Sequence, residues 1–219
     1  MASRFVAGAL VCVMLSCLAY GLAHFAPDTL QRATQLQGQR WYKLDLDDQQ
    51  VGYLHSSAWQ DHHGRWHFST DLRFVLAPGS PVTIFDSLTF DANPPYALLA
   101  ARHENRRRGQ TESVVITPSA DGYSARIDTS TDTNTERATS HSADLSWAYS
   151  LDDYLEFENW LHTEQPRIGA IKTVQTLDME RLRVVNKSHR VIDRNIAGYQ
   201  VESSALQDPT RIQLDANYA

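Results

Sequence analysis

Between residues 65 and 76 the chain alternates almost without a break. Trp66, Phe68, Thr70, Leu72, Phe74 and Leu76 fall on one parity, and Arg65, His67, Ser69, Asp71, Arg73 and Val75 on the other. A period of two marks a strand with one face toward a core. The same period appears earlier, where Tyr42, Leu44 and Leu46 alternate with Lys43, Asp45 and Asp47. Residues 47–50 then read as a turn and 51–54 as the start of the return strand. Further strands are expected at 82–90, 96–104, 111–117 and 123–127. Their punctuation is Pro78-Gly79-Ser80-Pro81, Asn93-Pro94-Pro95 and Asp121-Gly122. The polar tract 129–142 reads as an edge strand or a mobile loop. Strand signals resume at 171–177, 182–185, 199–206 and 211–215.

One helix interrupts the strands. Ser150 precedes Leu151-Asp152-Asp153, a capping box with acidic residues in the first turn. Leu151, Tyr154, Leu155 and Leu161 follow at helical spacing, Phe157 and Trp160 widen the apolar face, and Gln165-Pro166 ends it. The expected fold class is mainly antiparallel β with one packed helix, as a curved sheet wrapping the helix or a partly open barrel.

A different pattern opens the chain. From Phe5 to Ala23 no residue is charged, and a helix of that length spans roughly 28 Å, close to a bilayer's hydrocarbon core. Three fates compete: a retained anchor, a signal peptide cleaved near Gly21-Leu22-Ala23, or a lipoprotein signal ending at Cys17. The anchor fits the length best, and Arg4 places its short end in the cytoplasm. This divides the chain into an anchor or signal segment (1–25), a polar linker (26–39) and a single β-rich exported domain (40–219). The expected location is the bacterial inner membrane, a single pass through residues 5–23 with the C-terminal domain in the periplasm.

Composition and chemistry narrow the function mostly by exclusion. Both cysteines, Cys12 and Cys17, lie in the apolar run, so the exported part can form no disulfide, cysteine-ligated zinc site or thiol nucleophile. A net charge of -6 and a pI near 5.8 argue against nucleic acid as a partner. The one basic cluster, Arg106-Arg107-Arg108, has Glu104 and Glu112 beside it and reads as a solvated turn. The stretch Asp61-His62-His63-Gly64-Arg65-Trp66-His67 is the strongest candidate for a metal, with Asp61 or Asp71 as carboxylate. Its adjacent histidines diverge on an extended chain, and Arg65 and Arg73 share a face with His63 and His67, so a hairpin turn is the better reading. No G-x-S-x-G elbow or phosphate loop is present. Asp152, Asp153, Glu156 and Glu158 are explained as partners of a helix N-terminus rather than an acid–base pair. No catalytic, cofactor-binding or metal residue is assigned. Of the aromatics (Trp41, Tyr42, Tyr53, Trp59, Trp66, Phe68, Phe74, Tyr154, Phe157, Trp160) most are expected in the core, with a cleft for an apolar ligand as a secondary reading.

Trp41-Tyr42-Lys43-Leu44 followed by Val51-Gly52-Tyr53-Leu54-His55, the Ser-Leu-Asp helix start, Pro166-Arg167-Ile168-Gly169 and Ile196-Ala197-Gly198-Tyr199 occur in an order that resembles a known arrangement. It is similar to the β-rich periplasmic region preceding the core of membrane-anchored transglutaminase-like proteins of Gram-negative bacteria. It also resembles stand-alone envelope domains with a lipoprotein-carrier-like half-barrel. The resemblance implies a non-catalytic domain that binds or positions a protein or peptide partner, such as a separately encoded transglutaminase-like enzyme. The catalytic cysteine of those cores has no counterpart in the exported part, so no catalytic residue is transferred. Ending at Ala219, the chain reads as a stand-alone relative or a shortened reading frame.

Overall fold

A computed structural model describes residues 29–46, 49–75, 81–131, 134–195, 198–204 and 209–214. Among these the alternating segments form two antiparallel meanders. The larger runs β1 (Gly38–Leu46), β2 (Gln49–Gln60), β3 (Trp66–Val75), β4 (Pro81–Phe90), β5 (Leu98–Arg107), β6 (Gln110–Ser119), β7 (Gly122–Thr131) and β8 (Asn134–Leu145), each strand paired with the next in sequence. The smaller comprises β9 (Ile171–Asp178), β10 (Arg183–Asn195), β11 (Gly198–Ser204) and β12 (Pro209–Leu214), also in chain order. The class is mainly antiparallel β, as the alternation implies. Among the described residues no pairing joins β1 to β8, so the larger sheet is not a closed barrel.

One segment takes the edge-strand alternative of the sequence reading, and another differs from that reading. The polar tract around 129–142 lies in β7 and the terminal strand β8, where threonine's branched Cβ suits a pleated backbone. Within the stretch expected as a linker, residues 29–35 form a short helix, α1. Leu30, Ala33 and Leu36 recur three apart; Ala33 is fully buried, and the other two pack against the same core. The Thr29 hydroxyl donates to Asp152 Oδ1 at 2.5 Å, pinning α1 to the start of the second helix. The apolar run 5–23 lies outside the described residues. Among the described residues, no helix is long and apolar enough to cross a membrane.

The second helix, α2 (Leu151–Asn159), begins with the capping box read from the sequence. Asp153 N–H donates to Ser150 Oγ at 3.3 Å, and the Ser150 N–H donates to Asp153 Oδ2 at 2.8 Å. It runs into a π-helical turn at Trp160–Glu164 and stops where Gln165 turns left-handed at φ 46. The wider turn advances the apolar face around the axis. Leu151 and Leu155 therefore enter the core of the larger sheet, while Trp160 and Leu161 pack with Val191, Tyr199 and Val201 of the smaller one.

Among the described residues, only one end of the larger sheet is covered. Trp66, Phe68, Leu88, Phe90, Leu98, Ala101, Ile116 and Ala125 form the buried rows beneath α2. Farther along the same face the side chains are only half-buried. Tyr42, Leu54, Leu72 and Ile84 make one cross-strand row, and Leu44, Gly52, Phe74 and Val82 the next. The face of β3 that alternates so cleanly is thus fully buried only at Trp66 and Phe68. Within the outer row, a Cβ on Gly52 would overlap the Arg73 carbonyl oxygen and press on Phe74. Gly52→Ala is expected to cost about 1–3 kcal/mol through overpacking. Faster amide exchange confined to β2 and β3 would show this, and an unchanged exchange pattern would rule it out.

Candidate functional site: the aromatic edge of the larger sheet

The outer face of β1–β3, opposite the helices, carries the chemistry. By parity, Trp41 sits with Lys43 on the polar side of β1, and Tyr53, His55, Ser57 and Trp59 on that side of β2. Trp41 is 64% and Trp59 46% exposed, so these two fall outside the majority of aromatics expected in the core. Trp66, Phe68 and Trp160 do reach a core. Exposed indoles of this size on one sheet edge leave a substantial apolar area in water.

Each exposed indole is pre-stacked on a histidine one strand inward. Trp41 lies on His55 with ring centroids 4.2 Å apart and 22° between planes, and contacts Tyr53 at 5.3 Å. The Arg73 guanidinium lies 5.9 Å from the Tyr53 ring and is held by both oxygens of Asp71 at 2.8 and 3.1 Å. His55 Nε2 is covered and has no hydrogen-bond partner among the described residues. Trp59 stacks on His67 at 5.0 Å and 9°. Trp59 lies four positions beyond His55 along β2, about 13 Å at roughly 3.3 Å per residue. Ser57 and Ser69 lie between them, their hydroxyls 2.8 Å apart.

The histidine-rich stretch explains why His67 holds still. Gly64, at φ 79, closes the β2–β3 turn. Asp61 Oδ1 accepts the backbone N–H groups of His63 and Arg65 at 2.8 and 3.0 Å, and its Oδ2 meets His67 Nε2 at 3.1 Å. With the Nε2 proton toward the carboxylate, Nδ1 accepts from the Thr89 hydroxyl at 3.1 Å. The hydrogen bond from His67, with the two backbone N–H groups, lowers the Asp61 pKa to about 2. His62 and His63 have ring centroids 3.8 Å apart at the exposed turn. Among the described residues no cluster of three His, Cys, Asp or Glu side chains is arranged to hold a metal ion. The stretch is a hairpin turn that braces an indole.

The remaining sequence candidates are either exposed or engaged in the fold. Arg106, Arg107 and Arg108 are exposed around the β5–β6 turn. Asp152 and Asp153 are engaged at the helix start, and Glu156 pairs with Lys172 at 3.0 Å. Burial raises the Glu158 pKa, and nearby Arg32 partly offsets this. A buried pair the sequence reading missed lies on the helix-facing side. There His103 Nδ1 is 2.6 Å from Asp86 Oδ1, and its Nε2 is 3.8 Å from Glu180 Oε1.

The aromatic edge was also missed, although its signal is present in the pattern. Trp41 and Trp59 share parity with the lysine, histidine and serine positions of their strands rather than with the leucines. No family model, curated protein or solved structure matches this chain.

Proposed function

We propose that the chain is a non-catalytic binding domain of the bacterial envelope. Residues 5–23 hold it in the inner membrane, and the domain from residue 40 onward faces the periplasm as an open, curved half-barrel. There it binds or positions a protein or peptide partner, such as a separately encoded transglutaminase-like enzyme. The observation that carries this reading is Trp41, the most exposed indole, braced on His55 on the terminal strand of the larger sheet. A terminal strand has backbone groups to offer an added strand, and exposed tryptophan and arginine are the side chains that most often anchor interfaces. Arg73 and Tyr53 lie beside it.

The test is co-purification from membranes of the full chain and its Trp41→Ala variant. The wild type is expected to recover a defined envelope protein, and the variant to recover about tenfold less or lower. Equal recovery by both, or no specific protein with either, overturns the reading. A second reading, an apolar ligand held on the helix-facing side, rests on the rows of Tyr42, Leu54, Leu72 and Ile84 and of Leu44, Phe74 and Val82. They belong to neither buried cluster. Mass spectrometry of organic extracts of the purified chain tests it, a stoichiometric lipid counting for it and none against.

A further inference from the structure

β2 outruns its neighbour. Gly38, the first residue of β1, pairs with Ala58, so Trp59 and Gln60 extend past it with no β1 partner. Here the sheet edge opens into a cleft of about 450 Å³ lined by Trp59, Ser57, Gln60, Gln37, Gly38 and Gln39. The geometry points to a binding site for a neutral sugar ring of a glycan chain. The Trp59 indole stacks on the ring's C–H face, while the carboxamides of Gln37 and Gln39 and the Ser57 hydroxyl hydrogen-bond its hydroxyls.

The indole is in place before any ligand arrives. One of its faces is taken by His67, which is itself held by Asp61 and Thr89. The cleft lies on the other side of β2, toward β1. A ring fixed in this way loses little freedom on binding. The polar groups around it are of one kind. Carboxamides and hydroxyls both donate and accept, which matches the vicinal hydroxyls of a sugar, each also donor and acceptor.

Other ligand classes fit less well. Among the described residues no ionisable side chain lines the cleft, so none of them balances the charge of an anion. A quaternary ammonium is taken by a cage of aromatic rings, and this cleft has one indole. Strand addition by a peptide needs a run of open backbone, and the step past β1 is two residues long. The partner reading rests on Trp41, two residues along β1 from Gln39 and on the same face, and the variants below separate the two.

The test uses the full chain in a detergent without a sugar head group. It is titrated with a β-1,4-linked N-acetylglucosamine trimer and with maltotriose, following tryptophan emission. A saturable change is expected with at least one trimer. It should weaken about tenfold or more in Trp59→Ala and in Gln39→Leu, and be largely kept in Trp59→Phe. These positions are exposed, and an unchanged circular dichroism spectrum checks that each variant folds. No saturable change with either trimer, or a change of equal size and affinity in Trp59→Ala, overturns the site. Partner recovery by Gln39→Leu is read in parallel. If the sugars fail while that recovery stays normal and Trp41→Ala loses it, only the glycan site falls.

Discussion

Phe90→Ala is expected to destabilise the domain by about 3–5 kcal/mol, a large part of the stability of a typical domain. Phe90 is fully buried where β4 ends. It lies across the sheet from Trp66 and meets the rings of Phe68 at 6.0 Å, Tyr154 at 5.6 Å and Tyr149 at 6.4 Å. Its removal would leave a cavity between sheet and helix, bounded by large rings that cannot all shift inward. At this size the melting temperature should fall by roughly 6–20 °C. Phe74→Ala is the comparison. It removes the same ring from the same face of the sheet, but from the half-buried row outside both clusters. Its cost should be no more than about half as large. Equal losses in thermal and denaturant unfolding would mean that the outer rows are packed as tightly as the rows beneath α2.

The contrast between Phe90 and Phe74 also marks where the sequence was informative. Alternation assigns each side chain to a face, and those assignments hold for Trp66, Phe68, Phe74 and His67. It does not say how far along a strand that face is covered, because coverage comes from α2 and from the smaller sheet, remote in sequence. For that reason β3 reads as uniformly half-core, although only its first positions are sealed. The capping box at Ser150 was legible because its hydrogen bonds span three residues. The helix at 29–35 was not, because its few apolar positions are separated by polar ones and its stability comes from docking on α2. The extension of β10 to Asn195 was hidden by Asn186, Lys187, Ser188 and Arg190, which suit a strand only once neighbours pair with it on both sides.

The candidate site was obscured by an assumption about residue type. Size and apolarity point most aromatics to the core, whereas the parity of Trp41 and Trp59 with lysine, histidine and serine places these two on the polar face. The histidine-rich stretch has the composition of a metal site, yet its main effect is mechanical. Asp61 and Thr89 fix His67, and His67 fixes Trp59.

Stability should pass through a maximum near pH 6.5, set by two buried histidines with opposite shifts. The hydrogen bond to Asp86 raises the His103 pKa against the opposing effect of burial, with added support from the charges of Asp86, Glu180 and Glu112. A base whose folded pKa is raised contributes stability fully present below its unfolded value, about 6.5, and lost as pH rises through the folded value. His189 behaves oppositely. Buried beside Phe157 and bonded to Ser203 Oγ at 2.7 Å, it is pushed down to about 4 by desolvation, with Lys187 adding to the effect. The unfolded chain takes up this proton first, so stability is lost as pH falls from about 6.5 toward 4. Asp86→Asn removes the main support of the protonated His103 and should cost about 1.5–3 kcal/mol at pH 6, the range for a hydrogen bond to a charged group. The cost should shrink as pH rises and His103 loses its proton in the wild type. Denaturant unfolding at intervals from pH 5 to 9, paired with an NMR titration of His103, gives both quantities. Parallel stability curves for wild type and variant, or a His103 resonance that titrates below the unfolded value, would show that this pair does not set the alkaline limb.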